Sequence, residues 1–331
     1  IYLPNGLPPI APYQGNTGFF RQGNLPNTLE RLSKAGLADF YKGDVAKTLL
    51  QDVRNVGGVL NTADLANCQA RIFPATEYRW RGRTLQLTGG LTAVPTMARV
   101  LDQMASVEYG PEPDAAWYVA FARAMKLAYQ ERLAGIGDAE PRAAETCTTH
   151  ITVCDAEGTV VTMTTTLLSS MGSRVVLPET GVLMNNGVMW FDPRPDSPNY
   201  FAPSKRPLTN MCPVIARRGD HGWFAIGASG GRKIMPAVMQ ISSLLIDHGM
   251  TLEDAFHQPR IDASGGEIVG VDPRQPENVQ RALAAKFPTA LTELVVYPTN
   301  FACPSAVLRD PAKRAALIDA ANARPIANAT R

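Results

Sequence analysis

The chain has 331 residues and a net charge of +2, with no basic stripe interleaved with aromatics, so it offers no footprint for nucleic acid. Hydrophobic residues make up 45% and charged residues 19%, ordinary values for a globular protein with a sizeable core, and no apolar run is long enough to span a membrane. Cys68, Cys147, Cys154, Cys212 and Cys303 are scattered and odd in number; with His150, His221, His248 and His257 isolated, they argue against a zinc site and a disulfide framework.

In chain order, the first half reads as helical. Asn24 precedes apolar residues at helical spacing over 25–32. Asp44 is expected to cap a helix over 45–56 that stops at Gly57-Gly58, and a short helix starts at Thr62. Residues 75–88 read as extended, and helices follow over 94–106 and 114–133. Residues 135–147 lack periodicity and are rich in Asp, Glu, Ala and Pro, the composition of an exposed linker.

From Thr148 the pattern turns to strands. The run to Asp155, three residues ending in Gly158, and a second run from Thr159 fit a hairpin closed by an αL glycine. That turn pairs Asp155 with Thr159, Val153 with Val161, Ile151 with Met163 and Thr148 with Thr166. One face then carries Thr148, His150, Thr152, Thr162, Thr164 and Thr166, with Ile151, Val153, Val161 and Met163 on the other. A second hairpin (214–217 and 223–226) runs into Gly230-Gly231, and an apolar helix spans 234–246. Thr251 caps another helix, short strands are expected at 268–271 and 294–297 around a helix near 277–287, and the last twenty residues read as weakly helical.

Opposed residues in an antiparallel pair have Cβ atoms about 4.5–5.5 Å apart, so the Thr148 and Thr166 hydroxyls are within reach of each other. A threonine hydroxyl is a poor nucleophile unless a base adjoins it. A chain break before Thr148 would supply one, its own α-amine, with an unperturbed pKa of about 7.7–8.0. The Cys147–Thr148 bond, between linker and strand, is the candidate autocleavage point. Gly230-Gly231, between strand and helix, can aim backbone amides at an oxyanion. Plainer readings stand beside these: a Thr-rich edge hairpin, an ordinary strand-to-helix turn, and Cys147 or Cys154 as a rival nucleophile with His150 as base.

Thr148-Thr149-His150, the hairpin to Thr166, Met171-Gly172-Ser173, Pro178-Glu179-Thr180-Gly181, Asn185-Asn186, the run from Lys205 to Met211, and Gly227-Ala228-Ser229-Gly230-Gly231 together resemble the γ-glutamyltransferase family. The resemblance extends over about 23–310 and includes Phe40-Tyr41-Lys42-Gly43 and Asn61-Thr62-Ala63-Asp64-Leu65. It implies an α+β, four-layer αββα fold of the N-terminal-nucleophile hydrolases and a precursor that cuts itself. Residues 1–147 would then be the C-terminal part of a large subunit and 148–331 a small subunit. Thr148 would be the nucleophile, Thr166 would hold its hydroxyl, and Gly230 and Gly231 would form the oxyanion hole. Thr209 and Asn210 would bind the substrate's α-carboxylate in place of two serines.

Three positions depart from the family's γ-glutamyl pattern. Where γ-glutamyl enzymes hold the substrate's amine with Asn, Gln and Asp, this chain has Leu168, Gly187 and Trp190. Each lost hydrogen bond to a charged group costs about 1.5–3 kcal/mol, so the expected acyl group lacks that amine. A short loop over 192–204 implies an open cleft that favours hydrolysis over transfer. The resemblance also implies a missing N-terminal part of the large subunit that would carry an arginine for the carboxylate, with Arg174 a weaker substitute. The expected substrate is a small-molecule amide with a small carboxylate-bearing acyl group; true γ-glutamyl transfer and a non-catalytic binding homologue are the alternatives. No cofactor or metal is implied, an oligomer of processed heterodimers is compatible with the reading, and the cysteine pattern favours a cytoplasmic over a periplasmic setting.

Overall fold

The computed structural model describes residues 22–136, 146–155, 157–294, 300–310 and 315–320. Its backbone clusters into two units, one of residues 1–72 and 171–186, the other of 73–170 and 187–331. No helix among the described residues is long and apolar enough to cross a membrane.

The first unit is helical: α1 (Leu25–Ala35), α2 (Asp39–Lys42), α3 (Asp44–Asn55) and α4 (Thr62–Asn67). Asp44 is not the cap of α3 but its first residue. The capping acceptor is the Asp39 carboxylate, which takes the amides of Asp44 at 3.2 Å and Val45 at 3.1 Å. The end of α3 is the glycine stop read from the sequence. Gly57 N–H donates to Arg54 O (3.0 Å) and Gly58 N–H to Val53 O (2.8 Å), with Gly57 at φ +81°, the Schellman arrangement. Fully buried Asp52 on α3 accepts from the amides of Glu179 (3.0 Å) and Thr180 (3.2 Å), tying segment 171–186 to the helices.

The second unit is built on an antiparallel sheet. Its strands are β1 (Thr76–Trp80), β2 (Arg83–Leu87), β5 (Val214–Arg218), β6 (His221–Ser229), β10 (Cys303–Asp310) and β11 (Ala315–Ala320), in the order β1-β2-β5-β6-β10-β11. Two runs defied the sequence. Residues 315–320 form an edge strand instead of a weak helix, because pairing with β10 overrides the helix propensity of alanine. β10 was not foreseen at all, since Pro304 demotes such a run, yet it pairs with β6 from Cys303↔Ser229 to Leu308↔Phe224.

Side chains alternate across β6. Phe224, Ile226 and Ala228 join a core with α5 (Val94–Met104), α6 (Ala115–Glu131) and α7 (Ile234–Ile246) through Met97, Phe121, Met235 and Val238. Gly227 faces the opposite way, onto a separate hairpin of β3 (Thr146–Cys154) and β4 (Val160–Ser169). Hairpin, sheet and helices therefore stack as layers. The threonine-rich face of the hairpin is turned inward, and its outward face is apolar and solvent-exposed: Ile151 is 45%, Val153 53%, Val161 52% and Met163 47% exposed. α8 (Leu252–His257) and β7 (Ile261–Asp262) pack on α7, β7 pairs with β8 (Val269–Val271) and β8 with β9 (Thr289–Leu291) in a small sheet, and α9 (Glu277–Ala284) packs on α6. The expected linker falls, except for 135–136 and 146–147, outside the described residues, as does most of the strand expected at 294–297.

Candidate active site

The hairpin has the register read from the sequence: Thr148↔Thr166, Ile151↔Met163 and Val153↔Val161. Past Thr148 the pairing slips by one, so that Cys147 lies opposite Leu168. This bulge sits at the candidate autocleavage bond and puts Leu168 at φ +74°. The Thr148 and Thr166 hydroxyl oxygens are 3.0 Å apart, and Thr166 Oγ1 also accepts the Leu168 amide at 2.9 Å. With one lone pair of Thr166 engaged by that amide, its position is fixed from behind, and it holds Thr148 Oγ1 at hydrogen-bond distance.

Thr148, Thr166, Leu168, Trp190, Asn210, Met211, Gly231 and Ile234 line one cavity of about 20 Å³. That volume admits roughly one water. Leu168, Trp190, Met211 and Ile234 give this cavity a largely apolar lining. Gly230 and Gly231 form the turn between β6 and a 3-10 turn (Gly231–Lys233) that leads into α7. Gly230 has φ +138°, and a Cβ there would stand 2.7 Å from Ala302 Cα, so glycine is required on both conformational and steric grounds. Tyr129 Oη donates to the Arg232 carbonyl at 2.7 Å and pins the turn to α6.

Not every sequence-derived residue reaches the cavity. Gly187 begins the 3-10 turn that Trp190 ends, and only Trp190 lines the cavity. Thr209 does not line it; its hydroxyl donates to the Leu91 carbonyl at 3.0 Å. Arg174 is exposed and belongs to the first unit.

His150 is drawn into the hairpin's interior. Its Nδ1 is 2.8 Å from Thr164 Oγ1 and its Nε2 3.0 Å from Thr162 Oγ1, and the ring occupies the space a Cβ on residue 227 would need. Burial lowers its pKa to about 4, which keeps it neutral and makes it a brace between strands. The rival scheme, in which it serves Cys147 or Cys154 as a base, finds both ring nitrogens engaged by threonines.

Two residues of the site were missed. Arg132, 1% exposed at the π turn (Arg132–Ile136) after α6, donates from Nη1 to Thr92 O (3.2 Å) and Thr96 Oγ1 (3.2 Å). Its Nη2 donates to Thr209 O (2.9 Å) and Asn210 Oδ1 (3.1 Å). Buried Asn199 takes the Leu208 amide at 2.9 Å and gives Nδ2 to the Trp190 carbonyl at 2.7 Å, clamping the two cavity segments together. The sequence did carry a signal for Arg132: it continues the stripe Phe121, Met125, Ala128, Tyr129, all buried.

A cephalosporin acylase from Bacillus halodurans has a similar fold, with a TM-score of 0.75 at 22% identity over 96% of this chain and 65% of that one. The architecture is therefore the α+β fold that this acylase also has. The family model for gamma-glutamyltranspeptidase matches residues 11–147 and 140–327, and the chain belongs to the γ-glutamyltranspeptidase family. A glutathione hydrolase proenzyme of Bacillus subtilis (strain 168) is 29% identical over 320 residues, covering 79% of this chain and 53% of that protein. The Acylase ACY 1 proenzyme of Pseudomonas sp. (strain SE83) is 28% identical over 305 residues, covering 80% and 54%. The chain spans about half the length of the curated relatives it matches.

Proposed function

We propose that this chain is an autoprocessing amidohydrolase or acyltransferase that works through a Thr148 ester. In the continuous chain the Thr148 nitrogen is part of a peptide bond and cannot act as a base. Attack of Thr148 Oγ1 on the Cys147 carbonyl carbon moves the acyl group from nitrogen to oxygen. Water then hydrolyses that ester, leaving a carboxylate on Cys147 and a free amine and hydroxyl on Thr148. The same residue next attacks a substrate amide: its amine takes the hydroxyl proton and passes it to the leaving nitrogen, while the Gly230-Gly231 turn receives the oxyanion. Water or a second amine resolves the ester.

The observation that carries this reading is the Thr148–Thr166 hydroxyl pair, 3.0 Å apart, in a cavity that Gly231 also lines. The proposed substrate is an amide with a small carboxylate-bearing acyl group. Leu168 and Trp190 line the cavity where a γ-glutamyl amine would need polar partners, which sets the reading toward acylase-type substrates, as in the relative named an acylase, and away from glutathione. Intact-mass measurement of the full-length protein tests the mechanism. A fragment beginning at Thr148 is expected, absent in Thr148→Ala. Turnover by an uncut protein would overturn the scheme, and an uncut, inactive protein would favour a binding homologue.

A further inference from the structure

Arginine carries five donors and no acceptor, so whatever end of an amide side chain meets it must be the oxygen. Asn210 meets Arg132 Nη2 at 3.1 Å, which assigns Oδ1 to the buried side and leaves Nδ2 as the end available to the cavity that Asn210 lines. The same nitrogen holds the Thr209 carbonyl, while Nη1 is anchored on Thr92 and Thr96, so the guanidinium is fixed on two sides. Thr209 spends its own hydroxyl on Leu91. Of the adjacent pair, only Asn210 can present a side-chain donor to the cavity, and among the described residues no ionised side chain lines it.

We infer that Arg132 is a positioning residue for acyl-group selection: its bond to Asn210 Oδ1 fixes Nδ2 as the donor that reads a carboxylate on the acyl group. This rests on the acyl-transfer reading above. The guanidinium adds a second effect without touching the ligand. Its charge lies one side chain behind Nδ2, polarises the amide and favours an anion over a neutral acceptor at that point. An acyl group with a terminal carboxylate is then selected over one of equal length ending in a methyl.

The test is made on the full-length protein with glutaryl and valeryl p-nitroanilides, five-carbon acyl groups that differ in the terminal carboxylate. In Asn210→Asp the oxygen facing Arg132 is kept and the donor is replaced by an acceptor. The glutaryl-to-valeryl ratio of kcat/KM is expected to fall roughly 10–100-fold, mainly through the glutaryl KM, as loss of a hydrogen bond to a charged group implies. Arg132→Gln should lower the ratio by a similar factor and Arg132→Lys by less. The double variant should lose less than the product of the two single losses, because Arg132 acts chiefly through Asn210. A purely structural role would lower kcat for both substrates alike and add to the Asn210 effect, and that result overturns the inference. Should Arg132→Gln not fold, Asn210→Asp and Arg132→Lys decide: an unchanged ratio in both overturns it. Absence of Thr148 cleavage and of turnover in the unsubstituted protein would instead remove the acyl-transfer reading itself, and the inference with it.

Discussion

Leu168 occupies the left-handed region at φ +74°, a conformation that costs an ordinary L-residue roughly 1–2 kcal/mol and that asparagine tolerates better. The bulge opposite Cys147 demands it, and the Thr166 hydroxyl fixes it through the Leu168 amide. Leu168 is half-buried in the cavity wall, so removing its side chain also forfeits apolar contact, and the two effects must be separated. Leu168→Ala and Leu168→Asn lose similar apolar contact, but only the second relieves the backbone. Leu168→Asn is therefore expected to be more stable than Leu168→Ala by about 1 kcal/mol, read from urea unfolding midpoints. Equal midpoints would show that the backbone angle carries no strain. The residue scale also shows what a sequence can display. Thr148 and Thr166 were legible as a pair because a period of two and a three-residue turn fix a register. Arg132 was not, because a charged residue at a helix end ordinarily faces water, and only its place on a buried stripe betrays it.

At the scale of elements, the hairpin is inverted relative to a common amphipathic strand pair: its polar face is the inner one, and His150 is braced there between Thr162 and Thr164 over Gly227. An imidazole held neutral down to about pH 4 in the fold, against an unfolded value of 6.5, binds protons more readily in the unfolded chain. Its stabilising contribution is complete above pH 6.5 and is lost as pH falls toward 4, by on the order of 3 kcal/mol. The buried carboxyls of Asp247 and Asp262, raised in pKa by desolvation, push stability the other way over the acid range. The comparison with His150→Gln isolates the histidine: the variant's unfolding free energy should be flatter between pH 6.5 and 4. Parallel profiles would assign the acid sensitivity elsewhere. The elements that could be read, such as the helix over 45–56 with Val45, Leu49 and Val53 buried along one face, have helical periodicity. The ones that could not, β10 and β11, carry Pro304 or an alanine run and are strands only because a neighbour pairs with them.

For the whole molecule, the proposed scission between Cys147 and Thr148 raises the question of what holds its products together. Within the second unit the cut does not follow a boundary of packing. β1 and β2 come from before it, β5, β6, β10 and β11 from after it, and β2 joins β5 through Thr84↔Arg217 to Leu87↔Val214 in one continuous ladder. The core interleaves in the same way, with Met97 and Phe121 from the first product and Phe224, Ile226 and Met235 from the second, each at most 1% exposed. Trp80 gives its indole N–H to Asp247 at 2.7 Å, and Arg132 reaches Thr209 and Asn210, so buried polar groups of each product are satisfied by the other. Separation would expose apolar core and orphan those groups at once, a penalty far larger than the entropy released by freeing one chain from another. The cleaved protein is therefore expected to elute as a single native peak holding both fragments, which part only in denaturant. Because Trp80 and Trp117 belong to one fragment and Trp190 and Trp223 to the other, tryptophan emission and circular dichroism should report one shared unfolding transition. Two native peaks, each containing one fragment, would mean that the shared sheet does not bind the products together.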